Sequence, residues 1–194
     1  MENKETQFVD NCVIRFSKHF KCQREVWSKC KQGRIDIVLE TDCGKFFGIE
    51  AKVPEKKRGE EIGNFIQQAM RYSTYEFEVK PNHFQRIPIF ICPPISYKYF
   101  IMNNEEQIID GIKWHRDRHD ENFEHHSFNG FLGTFNIGEV RKVSQGAFAL
   151  IHSNKTIFSS KVAPVFNGRN FVGRKIQGLH EKNYELLIEK ISRL

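Results

Sequence analysis

With 194 residues, 39 % of them hydrophobic and 13 % aromatic, the chain is long enough for one domain with a real core. Thirty basic against 24 acidic residues give a net charge of +6, which suits a polyanionic partner without demanding one. No apolar run reaches the roughly 18 residues of a membrane span, and from the polar first residues no secretion signal is expected. The five cysteines, odd in number and without a Cys-x-x-Cys pair, read as reduced cytoplasmic thiols.

Residues 2–20 space Phe8, Val9, Cys12, Val13, Phe16 and Phe20 as one stripe of a helix. A short strand at 24–28 follows, then two apolar-rich runs, 34–41 and 46–53, around a Gly-containing turn. The connector 54–59 is charged. Residues 60–77 predict a second helix with Ile62, Phe65, Ile66, Ala69, Met70 and Ser73 inward. Ile87–Cys92 is apolar on both faces, as a strand in the middle of a sheet would be. A third helix is expected over 104–126, strands over 146–152 and 156–159 about a Ser153-Asn154 turn, and a closing helix over 180–193. The fold class is α/β: helix, three strands, helix and strand within 1–95, with an α+β extension over 96–194 of the same domain.

Asp36, Glu50 and Lys52 interrupt the hairpin where a sheet wants apolar side chains, and a bound divalent cation would pair the carboxylates. Glu50 and Lys52, two apart, share a face. A two-residue turn at Cys43-Gly44 would put Asp36 opposite Ala51. A three-residue turn, Asp42 to Gly44 with Gly44 left-handed, puts Asp36 opposite Glu50. The other face then carries Ile35, Ile37 and Leu39 with Ile49, Ala51 and Val53, all apolar. Two carboxylates hold Mg²⁺ without filling its octahedral shell, and Lys52 stands where charge develops on a phosphate. This predicts a metal-dependent site for phosphodiester cleavage.

Gly33-Arg-Ile-Asp36, Gly48-Ile-Glu-Ala-Lys52 and Gln68-x-x-x-Tyr72 on the following helix resemble the PD-(D/E)XK nuclease superfamily. The resemblance is closest to its RecB-type branch, with viral and phage exonucleases, and covers about residues 2–92. It implies a restriction-endonuclease-like core. It implies that Asp36, Glu50 and the Ala51 backbone carbonyl bind Mg²⁺ or Mn²⁺, that Lys52 is catalytic, and that Gln68 and Tyr72 shape the site and contact DNA. The family often adds a first-helix Glu: Glu5 fits best, with Glu2, Glu25 or a His (His19) as alternatives. Ile35 stands where the family's name places proline. The absence of cysteine after Cys92 excludes the iron–sulfur cluster of some members.

The expected function is a Mg²⁺- or Mn²⁺-dependent deoxyribonuclease leaving 5′-phosphate ends, without a nucleotide cofactor and without a membrane partner. Two other readings stand beside it: a catalytically silent nucleic-acid-binding protein on the same fold, and an RNA endonuclease. Endo- or exonuclease action and homo-oligomer formation stay open. Lys56, Lys57 and Arg58 could grip phosphates at the rim, as could Arg169, Arg174 and Lys175. His115 and His119, near His125 and His126, could bind zinc from a helix, against a solvated polar face. Trp27 and Trp114 read as core or helix-anchoring residues, with stacking on a base as the alternative that nothing in the sequence supports.

Overall fold

The computed structural model describes residues 4–53, 59–94, 129–144, 147–167 and 170–193, with 59–62, 142–144, 162–167 and 170–176 in backbone alone. The expected helix at 104–126 with its histidines and Trp114, the basic run Lys56–Arg58 and Arg169 lie outside the described residues. So do the side chains of Arg174 and Lys175.

Helix α1 (Lys4–Phe16) buries the stripe Phe8, Val9, Cys12 and Phe16. An antiparallel meander follows: β1 (Lys21–Trp27), β2 (Arg34–Glu40) and β3 (Phe46–Ala51). Helix α2 (Gly59–Ser73) turns the chain back. It ends four residues before the expected 77, where the Ser73 and Thr74 hydroxyls close on the carbonyls of Met70 and Arg71. The alternating Glu-Phe-Glu-Val that follows forms β4 (Glu76–Lys80), a hairpin with β5 (His83–Arg86) that the sequence reading lacked. Strand β6 (Ile89–Cys92) then lies parallel to β3.

After α3 (129–134), β7 (Ile137–Ser144) runs parallel to β6. Strands β8 (Ala147–His152), β9 (Lys155–Asn167) and β10 (Asn170–Leu179) complete an antiparallel meander, and α4 (Glu181–Ser192) follows. Ser153 and Asn154 both adopt positive φ at the β8–β9 turn. The C-terminal strands therefore continue the first sheet instead of forming a layer of their own. Its order is β1-β2-β3-β6-β7-β8-β9-β10.

Each face of this sheet has its own core. Residues of α1 and α4 pack on one face with Ile37, Leu39, Phe47, Ile49 and Phe90. Phe65, Ala69 and Tyr72 of α2, with Phe77 and Val79 of β4 and Leu132 of α3, cover the other over Val38, Ile89 and Ile91. Strands β3 and β6, buried at every residue, run through the middle. Among the described residues, no helix is long and apolar enough to cross a membrane.

Candidate active site

The hairpin loop sets the geometry. Thr41 N–H donates to the Lys45 carbonyl at 2.9 Å, and Gly44, at φ 73°, closes a three-residue loop. Ladder pairs run from Glu40↔Phe46 to Ile37↔Ile49. One step on in this register, Asp36 faces Glu50. There the ladder stops, because Asp36 Oδ2 itself accepts the Ala51 N–H at 2.7 Å. The strands part at the carboxylates. As a result Ile35 does not join Ile37, Ile49 and Ala51 on the face expected from strict alternation. It packs in the core beneath α2, over Gly48. A Cβ on Gly48 would lie 2.5 Å from Ile35 Cδ1, so glycine makes that crossing of faces sterically feasible.

Glu50 is the one charged residue of β3 and is 2 % exposed. Its Oε2 is buried without a hydrogen-bond partner. Burial first, and then the charge of Asp36, push its pKa well up, against the pull of Lys52. Burial also raises Asp36 to about 6, although the Ala51 N–H draws it down. Lys52 follows β3 directly, its N–H held by the Cys92 carbonyl. Burial works to lower its pKa, yet the Glu5 hydrogen bond and the charges of Glu5, Glu50 and Asp36 outweigh burial and raise it. Lys52 is therefore a cation at neutral pH. Its Nζ stands 2.5 Å from Glu5 Oε1 on α1.

On α2, Gln68 Nε2 donates to Tyr72 Oη at 3.0 Å across one helical turn. The Tyr72 ring lies over Gly33, where a Cβ would come within 2.6 Å of Tyr72 Cε1. Glu5, Asp36, Glu50, Ala51, Lys52, Gln68 and Tyr72 all line one cavity of about 370 Å³. It opens where β3 ends, the side of a parallel pair on which open α/β sheets bind ligands. Two alternatives for Glu5 are directed elsewhere: Glu25 pairs with Arg34 at 3.4 Å, and His19 packs against the rings of Phe148 and Phe158. Glu2 lies outside the described residues.

The cavity also takes in Trp27, Lys31, Gln32, Gly33 and Arg34 from the β1–β2 connection. Trp27 is 45 % exposed, contrary to the expectation of a core residue, with the Arg34 guanidinium 5.5 Å from its ring centre. The signal for these residues was their place just before Asp36, at the same end of β2.

Among the described residues, no group of three or more His, Cys, Asp or Glu is arranged to hold a metal. Asp36 and Glu50 nevertheless fit a hard divalent cation. They are oxygen donors on facing strands, and Glu50 keeps a buried oxygen that nothing satisfies. No protein-family model matches the chain, and no curated protein or solved structure is significantly similar to it.

Proposed function

We propose that the chain is a Mg²⁺- or Mn²⁺-dependent nuclease that hydrolyses DNA phosphodiesters to 5′-phosphate ends. One observation carries the reading: Asp36 and Glu50, each one step beyond the last β2–β3 ladder pair, open on to the same cavity as Lys52, Gln68 and Tyr72. The order helix, three-stranded meander, helix, parallel strand supports a restriction-endonuclease-like core of the PD-(D/E)XK kind over the first 92 residues.

Asp36 and Glu50, with the Ala51 carbonyl beside them, would hold the cation. When bound there, it supplies acidification of a water and neutralisation of phosphate charge. Ala51 N–H fixes one Asp36 oxygen. Lys52 stays protonated, offering hydrogen bonds to charge that grows on the phosphate oxygens. Gln68 and Tyr72 fix the opposite wall and present polar atoms to the DNA backbone.

The test is incubation of the purified protein with linear, circular, single-stranded and branched DNA, and with RNA, in Mg²⁺ or Mn²⁺. Cleavage of DNA to ends that ligase rejoins is expected, slowed roughly a hundredfold or more in Asp36→Ala, Glu50→Ala and Lys52→Ala. Salt-sensitive binding without cleavage would replace the nuclease with a binding protein. Cleavage by the three variants at the parent's rate would move the chemistry elsewhere.

A further inference from the structure

We propose that Trp27 is a stacking platform for an unpaired base next to the scissile phosphate, so that the site takes a single strand or a frayed end. The inference rests on the nuclease reading of the same cavity and names its substrate class. Trp27 ends β1 and pairs across the ladder with Arg34, which lies two residues before Asp36 on β2. Arg34 and Asp36 both line the cavity. By strand geometry the Cα atoms of Trp27 and Asp36 are roughly 8 Å apart. A base on Trp27 and a phosphate at Asp36–Glu50 then belong to neighbouring nucleotides.

The indole is 45 % exposed in the wall of the cavity that holds the carboxylates. On the strand side the Arg34 guanidinium, paired with Glu25 at 3.4 Å, lies over the ring, and Lys31 stands in the same wall. An aromatic face beside cations that track a phosphate backbone is the arrangement by which proteins hold single strands without reading sequence. A paired base inside a duplex keeps its faces against its neighbours, so it cannot lie on an indole without being extruded. At Gly33 the missing side chain lets Tyr72 close the opposite wall.

The test measures binding by fluorescence anisotropy, without divalent cation, of a labelled oligothymidylate and of an abasic phosphodiester strand of equal length. Both probes carry the same charge, and only one has bases. The parent should bind the thymidylate roughly tenfold or more tightly than the abasic strand. Trp27→Ala should abolish that difference while holding the abasic strand as before, and Trp27→Phe should keep most of it. Thermal melts check that both variants fold. A Trp27→Ala protein that still prefers the thymidylate, or a parent that prefers neither strand, overturns the proposal. Cleavage in Mg²⁺ is scored separately. Cleavage with no Trp27-dependent base preference leaves the nuclease reading standing alone, and a Trp27-dependent preference without cleavage does the reverse.

Discussion

The Lys52 ammonium and the Glu5 carboxylate stand 2.5 Å apart, so the residue that follows β3 is pinned to the first turn of α1. Both side chains are substantially exposed, at 38 % and 43 %, and an ion pair so open to water adds little to stability. Its value is positional: it sets where the ammonium sits relative to Asp36 and Glu50. Glu5→Gln should therefore shift stability by less than about 1 kcal/mol. It should lower kcat roughly tenfold while leaving the Mg²⁺ concentration for half-maximal rate unchanged. A Mg²⁺ titration of cleavage rate checks this. A midpoint moved to higher Mg²⁺ would make Glu5 a ligand instead.

Glu50 carries the opposite balance. A carboxylate 2 % exposed, with one oxygen unpartnered and Asp36 close by, destabilises the metal-free fold. Glu50→Gln keeps the shape and removes the charge. In EDTA at pH 8 the variant should be more stable than the parent by about 1–3 kcal/mol, or roughly 3–10 °C in Tm. Mg²⁺ should raise the parent's Tm and leave the variant's unmoved. A variant that melts below the parent in EDTA would mean that the Glu50 charge is compensated in the fold.

The hairpin register could be read before the structure because only a three-residue loop with Gly44 left-handed puts Asp36 across from Glu50. The departure at Ile35 could not. Alternation assumes that a ladder continues, and here the Asp36 carboxylate takes the N–H that the next ladder bond would use. The β4 strand was written in the alternation of Phe77 and Val79, but the 3.6-residue spacing of α2 runs into it. What separates the two is the hydroxyls of Ser73 and Thr74 turning back on the helix. Trp27 reads as core by residue type. Only the sheet order, with β1 at an edge and its connection to β2 bordering the cavity, leaves the ring in solvent.

His152 contributes stability that is lost in mild acid, against Asp36 and Glu50, whose raised pKa values favour the fold as pH falls. The ring is 3 % exposed on β8, with Nε2 unpartnered, Ser153 Oγ 3.0 Å from Nδ1, and Lys190 and the Phe90 ring nearby. Burial, reinforced by the Lys190 charge, outweighs the opposing pull of the Asn136 backbone and lowers its pKa to about 3, below the usual 6.5. Between those values the unfolded chain holds a proton that the folded chain refuses, so this contribution is full above pH 6.5 and declines as pH falls toward 3. By pH 5 the loss from this group should be about 2 kcal/mol. Urea melts of the parent and His152→Gln at pH 7.5 and 5 isolate it, since His19, His180, Asp36 and Glu50 contribute equally to both. Parallel losses in the two proteins would remove His152 as the cause.

Gly33 links the packing to the site. Its N–H donates to Ser28 Oγ at 3.1 Å and its carbonyl accepts the Ser28 N–H at 2.8 Å, so the backbone there has no freedom to retreat. A methyl group would meet Tyr72 Cε1 at 2.6 Å and Tyr75 Cε2 at 3.0 Å. The Tyr72 ring must then swing, and its hydroxyl leaves the Gln68 amide. Overpacking of this kind costs about 1–3 kcal/mol. Cleavage should suffer more than stability, since a displacement of about 1 Å in a positioning group can cost roughly a hundredfold in rate. Adding Tyr72→Leu to Gly33→Ala relieves the crowding, so it should restore much of the Tm while the rate stays low. Paired melts and cleavage rates for the single and double variants separate the two effects. Recovery of both together would reduce Tyr72 to a packing residue.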